Sequence, residues 1–274
     1  MKFAICNETF QNWPFDRAFA LARQCGYTGI EFAPFTIATS AYEISAAQRV
    51  QLRQQASDAG LEVVGLHWLL AFTEGYYLTT PDAAVRRKTS EYFAELARLC
   101  RDLGGQILVL GSPKQRNLLP GVSHEQALQF AAEVIRGFVP TLEECGVTLA
   151  VEPLGPQEGD FLRTADAAVE LLQLVDSPSC RLHLDVKAMS TESKPVVDII
   201  RDNANRFVHF HANDPNRRGP GMGELDFKPI LQVLQEINYQ GWVSVEVFDY
   251  EPGVESLAHD SIAYLQQCLK ALAR

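Results

Sequence analysis

Arg181-Leu182-His183-Leu184-Asp185 and Arg206-Phe207-Val208-His209-Phe210-His211 both alternate large apolar with polar side chains. Successive side chains of a strand point to opposite faces. Leu182, Leu184, Val208 and Phe210 therefore share one face, and His183, Asp185, His209 and His211 the other. The same rule separates Leu149 and Val151 from Thr148, Ala150 and Glu152 in Val147–Glu152. In Trp242–Val247 it separates Val243, Val245 and Val247 from Ser244 and Glu246. Each apolar face must meet helices, and each small or polar face must line an interior. A sheet with helices on one side and a polar interior on the other is a closed barrel.

Outward from these four, Phe3–Cys6, Thr28–Phe32, Glu62–His67 and Gln106–Leu110 also read as strands. Helical patterns fill the intervals at Pro14–Gln24, Ser45–Ala59, Pro81–Leu103, Ser123–Cys145, Thr164–Val175, Pro195–Asn203 and Phe227–Ile237, and Leu257–Leu272 closes the series. Gly26, Gly60, Gly104 and Gly146 follow helices, where a left-handed residue is favoured. Eight strands alternating with eight helices predict an α/β fold, a (β/α)8 TIM barrel, as a single domain over 1–274. An open doubly wound sheet would show Gly-x-Gly-x-x-Gly after the first strand. The only comparable string, Gly219-Pro220-Gly221-Met222-Gly223, follows the seventh strand and reads as a loop.

Composition agrees. Hydrophobic residues make up 47% of the 274, enough for a large core. No apolar run approaches the roughly 20 residues of a membrane span. The net charge of −10 argues against nucleic acid and anionic membrane surfaces. The six cysteines are scattered without a Cys-x-x-Cys pair, so reduced thiols and no disulfide are expected. The opening Met1-Lys2-Phe3-Ala4-Ile5-Cys6 reads as a strand rather than a signal segment, and the cytoplasm is the expected compartment.

Four successive strands end in inward-facing ligand-type residues: Glu152, Asp185, His211 and Glu246, at intervals of 33, 26 and 35 residues. They should meet at the C-terminal mouth of the barrel, where barrel enzymes carry their active sites. Three carboxylates and an imidazole at close range repel one another unless a cation lies between them. One divalent metal ion is therefore expected. Oxygen-rich ligands with one nitrogen suit Mn²⁺ first, then Mg²⁺ or Co²⁺, whereas Zn²⁺ would gather more His or Cys. His183 and His209 lie one step deeper and read as packed or supporting groups. Glu31 and His67 end strands two and three; His67 is either a substrate contact or a structural histidine. The aromatic segment from Trp68 to Tyr77 is either a substrate wall or lid, or an oligomer contact. Lys114 and Arg116 either meet an anionic group or are solvated charges.

Val151-Glu152-Pro153, Leu184-Asp185-Val186, Phe210-His211-Ala212-Asn213-Asp214 and Val245-Glu246-Val247 resemble the motifs of the xylose-isomerase-like barrels, the sugar isomerase/epimerase superfamily. Within it the chain is most similar to the D-tagatose and D-psicose 3-epimerase branch, over nearly its whole length. The resemblance implies that Glu152, Asp185, His211 and Glu246 hold one metal, and that Glu152 and Glu246 are the two acid/base groups. It implies sugar contacts at Glu158 and Arg217, and makes a homodimer or homotetramer common. One position departs: the family's substrate-contacting histidine three residues after the aspartate is Ala188 here, with Lys187 beside it as a substitute donor. The expected reaction is proton transfer next to a ketose carbonyl through an enediolate. The alternative is a lyase or dehydratase of the same superfamily acting on an inosose or 3-keto-sugar. An abasic-site endonuclease would need more metal ligands than six histidines suggest and a basic groove. A non-catalytic sugar binder would not need the four-ligand set.

Overall fold

A computed structural model describes residues 1–273; the last residue of the expected 1–274 span lies outside the described residues. The described residues form eight parallel strands: β1 Lys2–Cys6, β2 Gly29–Phe32, β3 Glu62–Leu66, β4 Ile107–Leu110, β5 Thr148–Val151, β6 Cys180–Asp185, β7 Phe207–Ala212 and β8 Trp242–Val245. They pair in sequence order, and β1 closes on β8, with Ala4 opposite Ser244. The outward-facing Leu149, Val151, Leu182, Leu184, Phe210, Val243 and Val245 are completely buried beneath the helical layer. That dry layer between strands and helices is the main hydrophobic core.

The helices are α1 Phe15–Cys25, α2 Ala46–Asp58, α3 Ala83–Leu103, α4 His124–Cys145, α5 Ala165–Val175, α6 Val186–Met189, α7 Val196–Asp202, α8 Lys228–Glu236 and α9 Val254–Leu272. Ser45 with Gln48 and Ser123 with Gln126 form reciprocal caps that start α2 and α4. Gly26, Gly60, Gly104 and Gly146 all have positive φ, the conformation that turns each helix toward its next strand. One unit departs from strict alternation. Between β6 and β7 the chain makes two helices, because the Asp185 carboxylate accepts a hydrogen bond from Ala188 N (2.7 Å) and winds the short α6 directly off the strand end. Among the described residues no helix is long and apolar enough to cross a membrane. The six cysteines are free thiols.

Candidate active site

The period of two along each strand delivers the four ligand-type residues to one end of the barrel. Asp185 and His211 are direct neighbours in the β6–β7 register. Glu152 and Glu246 stand one residue beyond the last residues of β5 and β8. All four are buried, and one ligand atom from each lies within 4.8 Å of the others.

Such a cluster is electrostatically costly. Burial, then the charges of Glu246 and Asp185, push the Glu152 carboxyl well above its usual range. Burial also raises Asp185, although Lys187 opposes the shift. Glu246 moves the other way. Burial would raise it, but His211 Nδ1 at 3.0 Å and His67 Nδ1 at 3.1 Å hold it below the normal carboxylate range. Three buried carboxylates around one imidazole form an oxygen-rich donor set that a divalent cation fits, since the cation would offset their mutual repulsion.

Behind the cluster a second layer fixes its orientation. Glu31, at the end of β2 and fully buried, faces His209 Nε2 at 2.8 Å and His211 Nε2 at 3.2 Å. Burial alone would raise Glu31, but the two imidazoles outweigh it and keep the carboxyl well below the usual range. The arrangement leaves His211 Nδ1 directed toward Glu246 and the cluster, as in a carboxylate–histidine–metal relay. Asn213 donates from Nδ2 to Asp185 Oδ2 (2.5 Å) and accepts from Lys187 N (2.8 Å), which sets the rotamer of Asp185. His183 packs edge-on against His211, with ring centres 4.2 Å apart, and has no hydrogen-bond partner. Burial and the neighbouring imidazoles keep it neutral.

The substrate-facing candidates separate into two groups. Glu158, Arg217 and Trp68 line a cavity of about 630 Å³ that reaches down to Glu152. Lys187 joins them from α6 by an ion pair to Glu158, and its Nζ lies 4.8 Å from the Phe248 ring centre. His67, by contrast, is fully buried with carboxylates at both nitrogens. Burial opposes its protonation, but Glu8 and Glu246 raise its pKa to about 10. It therefore works inward, on Glu246, instead of opening onto the cavity. Arg116 is buried rather than solvated. Its Nη1 donates to Leu110 O (3.1 Å), and burial lowers its pKa to about 10 against the opposing pull of Glu152 and Glu158. Lys114 is exposed at the rim of the same cavity. Ala188 contributes only its backbone N–H, to Asp185.

Glu8 escapes notice in the sequence, and Asn213, although it belongs to the motif quoted around His211, is given no role there. The inward series Ala4, Cys6, Glu8 does point to Glu8, but a 3₁₀ turn over Asn7–Phe10 ends the strand before it. Asn213 lies two residues past His211, on the same parity, and that spacing is its signal.

Comparison with known proteins places this geometry. A family model described as "Xylose isomerase-like TIM barrel" matches residues 19–268. A protein of Synechocystis named "Probable ketose 3-epimerase" is 29% identical, covering 91% of this chain and 89% of that protein. A D-psicose 3-epimerase of Enterocloster bolteae is 28% identical over 75% of this chain and 68% of its own length. The crystal structure of a D-psicose 3-epimerase determined in the presence of D-fructose superposes with a TM-score of 0.86, covering 98% and 99% of the two chains at 23% identity. The chain belongs to the xylose isomerase-like TIM barrel family.

Proposed function

We propose that this chain is a divalent-metal-dependent ketose epimerase, an isomerase-class enzyme that inverts the carbon next to a ketose carbonyl. The observation that carries the reading is the convergence of Glu152, Asp185, His211 and Glu246, whose ligand atoms lie within 4.8 Å of one another at the ends of four successive strands. The epimerase names of the relatives support it. These four residues would hold the cation, for which Mn²⁺ is our assignment and Mg²⁺ or Co²⁺ the alternatives. When bound, the cation supplies Lewis acidity toward the carbonyl and its neighbouring hydroxyl, which makes the intervening C–H more acidic.

The remaining work falls to the chain. Glu152 and Glu246 approach the cluster from strands on opposite sides of Asp185 and His211, so one removes the proton and the other returns it to the opposite face. His67 and His211 hold Glu246 in place through its two oxygens. Glu158, Lys187 and Arg217 present charged donors and acceptors to sugar hydroxyls, and Trp68 supplies an apolar wall. The six free thiols support a reducing compartment, the cytoplasm.

The test is incubation of the Mn²⁺-supplied enzyme with D-fructose, D-psicose and D-tagatose in D₂O, followed by NMR. Deuterium at C3 with formation of the C3 epimer is expected. Loss of water from an inosose or 3-keto-sugar without exchange on any ketose would overturn the reading in favour of the lyase.

A further inference from the structure

Three arginines are buried among the described residues: Arg49, Arg86 and Arg116. Arg49 meets Glu95 and Asp102, and Arg86 meets Glu133 at 3.0 Å. Arg116 is 1% exposed and makes no ion pair among the described residues, and its Nη2 has no hydrogen-bond partner. A buried guanidinium without a paired carboxylate destabilises a fold, because the charge leaves water and gains no partner in return. Burial is the largest influence on Arg116, and it outweighs the attraction of Glu152 and Glu158. Groups that break the rules of stability in this way concentrate where function requires them.

The surroundings of Arg116 locate that function. Its Nη1 donates to Leu110 O at 3.1 Å, and the backbone N–H of Glu152 donates to the same oxygen at 3.2 Å. Leu110 ends β4, and the Glu152 carboxylate lies directly against the next residue, Gly111. One carbonyl thus joins the guanidinium to the backbone of Glu152. Arg116 is itself firmly held. Gln115 O accepts from Leu78 N at 2.7 Å, and Asn117 O accepts from Tyr77 Oη at 3.0 Å and Thr79 Oγ1 at 2.7 Å. The segment before α3 therefore grips the residues on both sides of it. The cavity above Glu152 is lined by Lys114 and Gln115 but not by Arg116, which stands behind the carboxylate. We propose that Arg116 is a positioning residue for Glu152, holding that side chain in the geometry for metal binding and proton transfer although its own buried charge destabilises the fold. Its part in turnover rests on the epimerase reading; its hold on the Glu152 backbone does not.

Arg116→Met keeps much of the side-chain length and removes the charge and the donors. Leu110 O retains the Glu152 N–H, so no acceptor is stranded. Metal-free Arg116→Met should therefore melt at the wild-type temperature or above it. Calorimetry should show its Mn²⁺ affinity lower by about tenfold, the smaller loss seen when a group outside the ligand set is removed. With D-psicose, kcat should fall by about tenfold. KM should stay within about twofold, because the guanidinium touches no substrate. Arg116→Lys, which restores a charge and a donor, should recover most of both losses. A metal-free Arg116→Met that melts lower would make Arg116 a structural residue, and wild-type Mn²⁺ affinity in that variant would make Glu152 independent of it; either result overturns the proposal. Absence of turnover by the wild type on any ketose would count against the epimerase reading, while the melt and the Mn²⁺ titration still decide the role of Arg116.

Discussion

A Cβ built on Gly111 would lie 1.6 Å from Glu152 Oε2 and 2.8 Å from its Cδ. The carboxylate reaches its position in the cluster only because residue 111 has no side chain. Gly111→Ala should push Glu152 aside and cost about 100-fold in turnover, the penalty of roughly 1 Å of misplacement at a reacting group. The fold should remain intact, because the clash is with the end of one side chain. Steady-state kinetics with a thermal melt check both halves. Glu31 makes a complementary case. It touches none of the reacting groups, but it fixes His209 and His211. Glu31→Gln replaces an ionised acceptor with an amide and should weaken Mn²⁺ binding about 10- to 100-fold. Unchanged affinity by calorimetry would mean that His211 is oriented by packing alone.

Between elements, the clearest polar joint is Arg49 on α2. It meets Glu95 and Asp102 of α3 at 2.6 and 3.0 Å, and donates to Ile44 O and Ala41 O at the loop before its own helix. Arg49→Ala strands these acceptors in a mostly buried seam. The expected cost is about 2–4 kcal/mol, or a melting temperature lower by about 5–10 °C for a chain of this size. The pH dependence has a definite sign. Partial burial would raise Asp102, but Arg101 and Arg49 hold it below its ordinary 3.8. Its contribution is therefore complete above pH 3.8 and is lost as the pH falls through the lowered folded value. The difference in stability between the wild type and Arg49→Ala should stay constant down to about pH 3.8 and narrow as the pH falls from there through the lowered folded value, as denaturant unfolding across an acid series would show. The Asp185 cap on α6 is another joint of this scale, since the same carboxylate ends a strand, starts a helix and completes the cluster.

Across the whole molecule, the parts legible in the sequence are those ruled by the strand period. Apolar–polar alternation identifies the last four of the eight strands, their outward core residues and the inward Glu152, Asp185, His211 and Glu246, because a one-residue error would put every side chain on the wrong face. The rim obeys no such rule. Trp68, Phe72, Leu162 and Arg217 all take positive φ without being glycine, so no local propensity reveals the path of their loops. For the same reason the burial of Arg116 and the joining of Lys187 to Glu158 emerge only from the folded chain. His67 stands one residue past β3 at the barrel mouth, but its partner Glu8 arrives from a turn after β1, two strands away, and no local pattern links the two. The account depends on one claim, that four side chains brought together by eightfold closure hold a divalent cation. The most direct measurement is a calorimetric titration of EDTA-stripped protein with Mn²⁺, on the wild type and on Glu246→Gln. Our account predicts one Mn²⁺ bound per wild-type chain, with a rise in melting temperature, and loss or severe weakening of that binding in the variant. A wild-type chain that binds no Mn²⁺, Mg²⁺ or Co²⁺, or a variant that binds as well as the wild type, would contradict it.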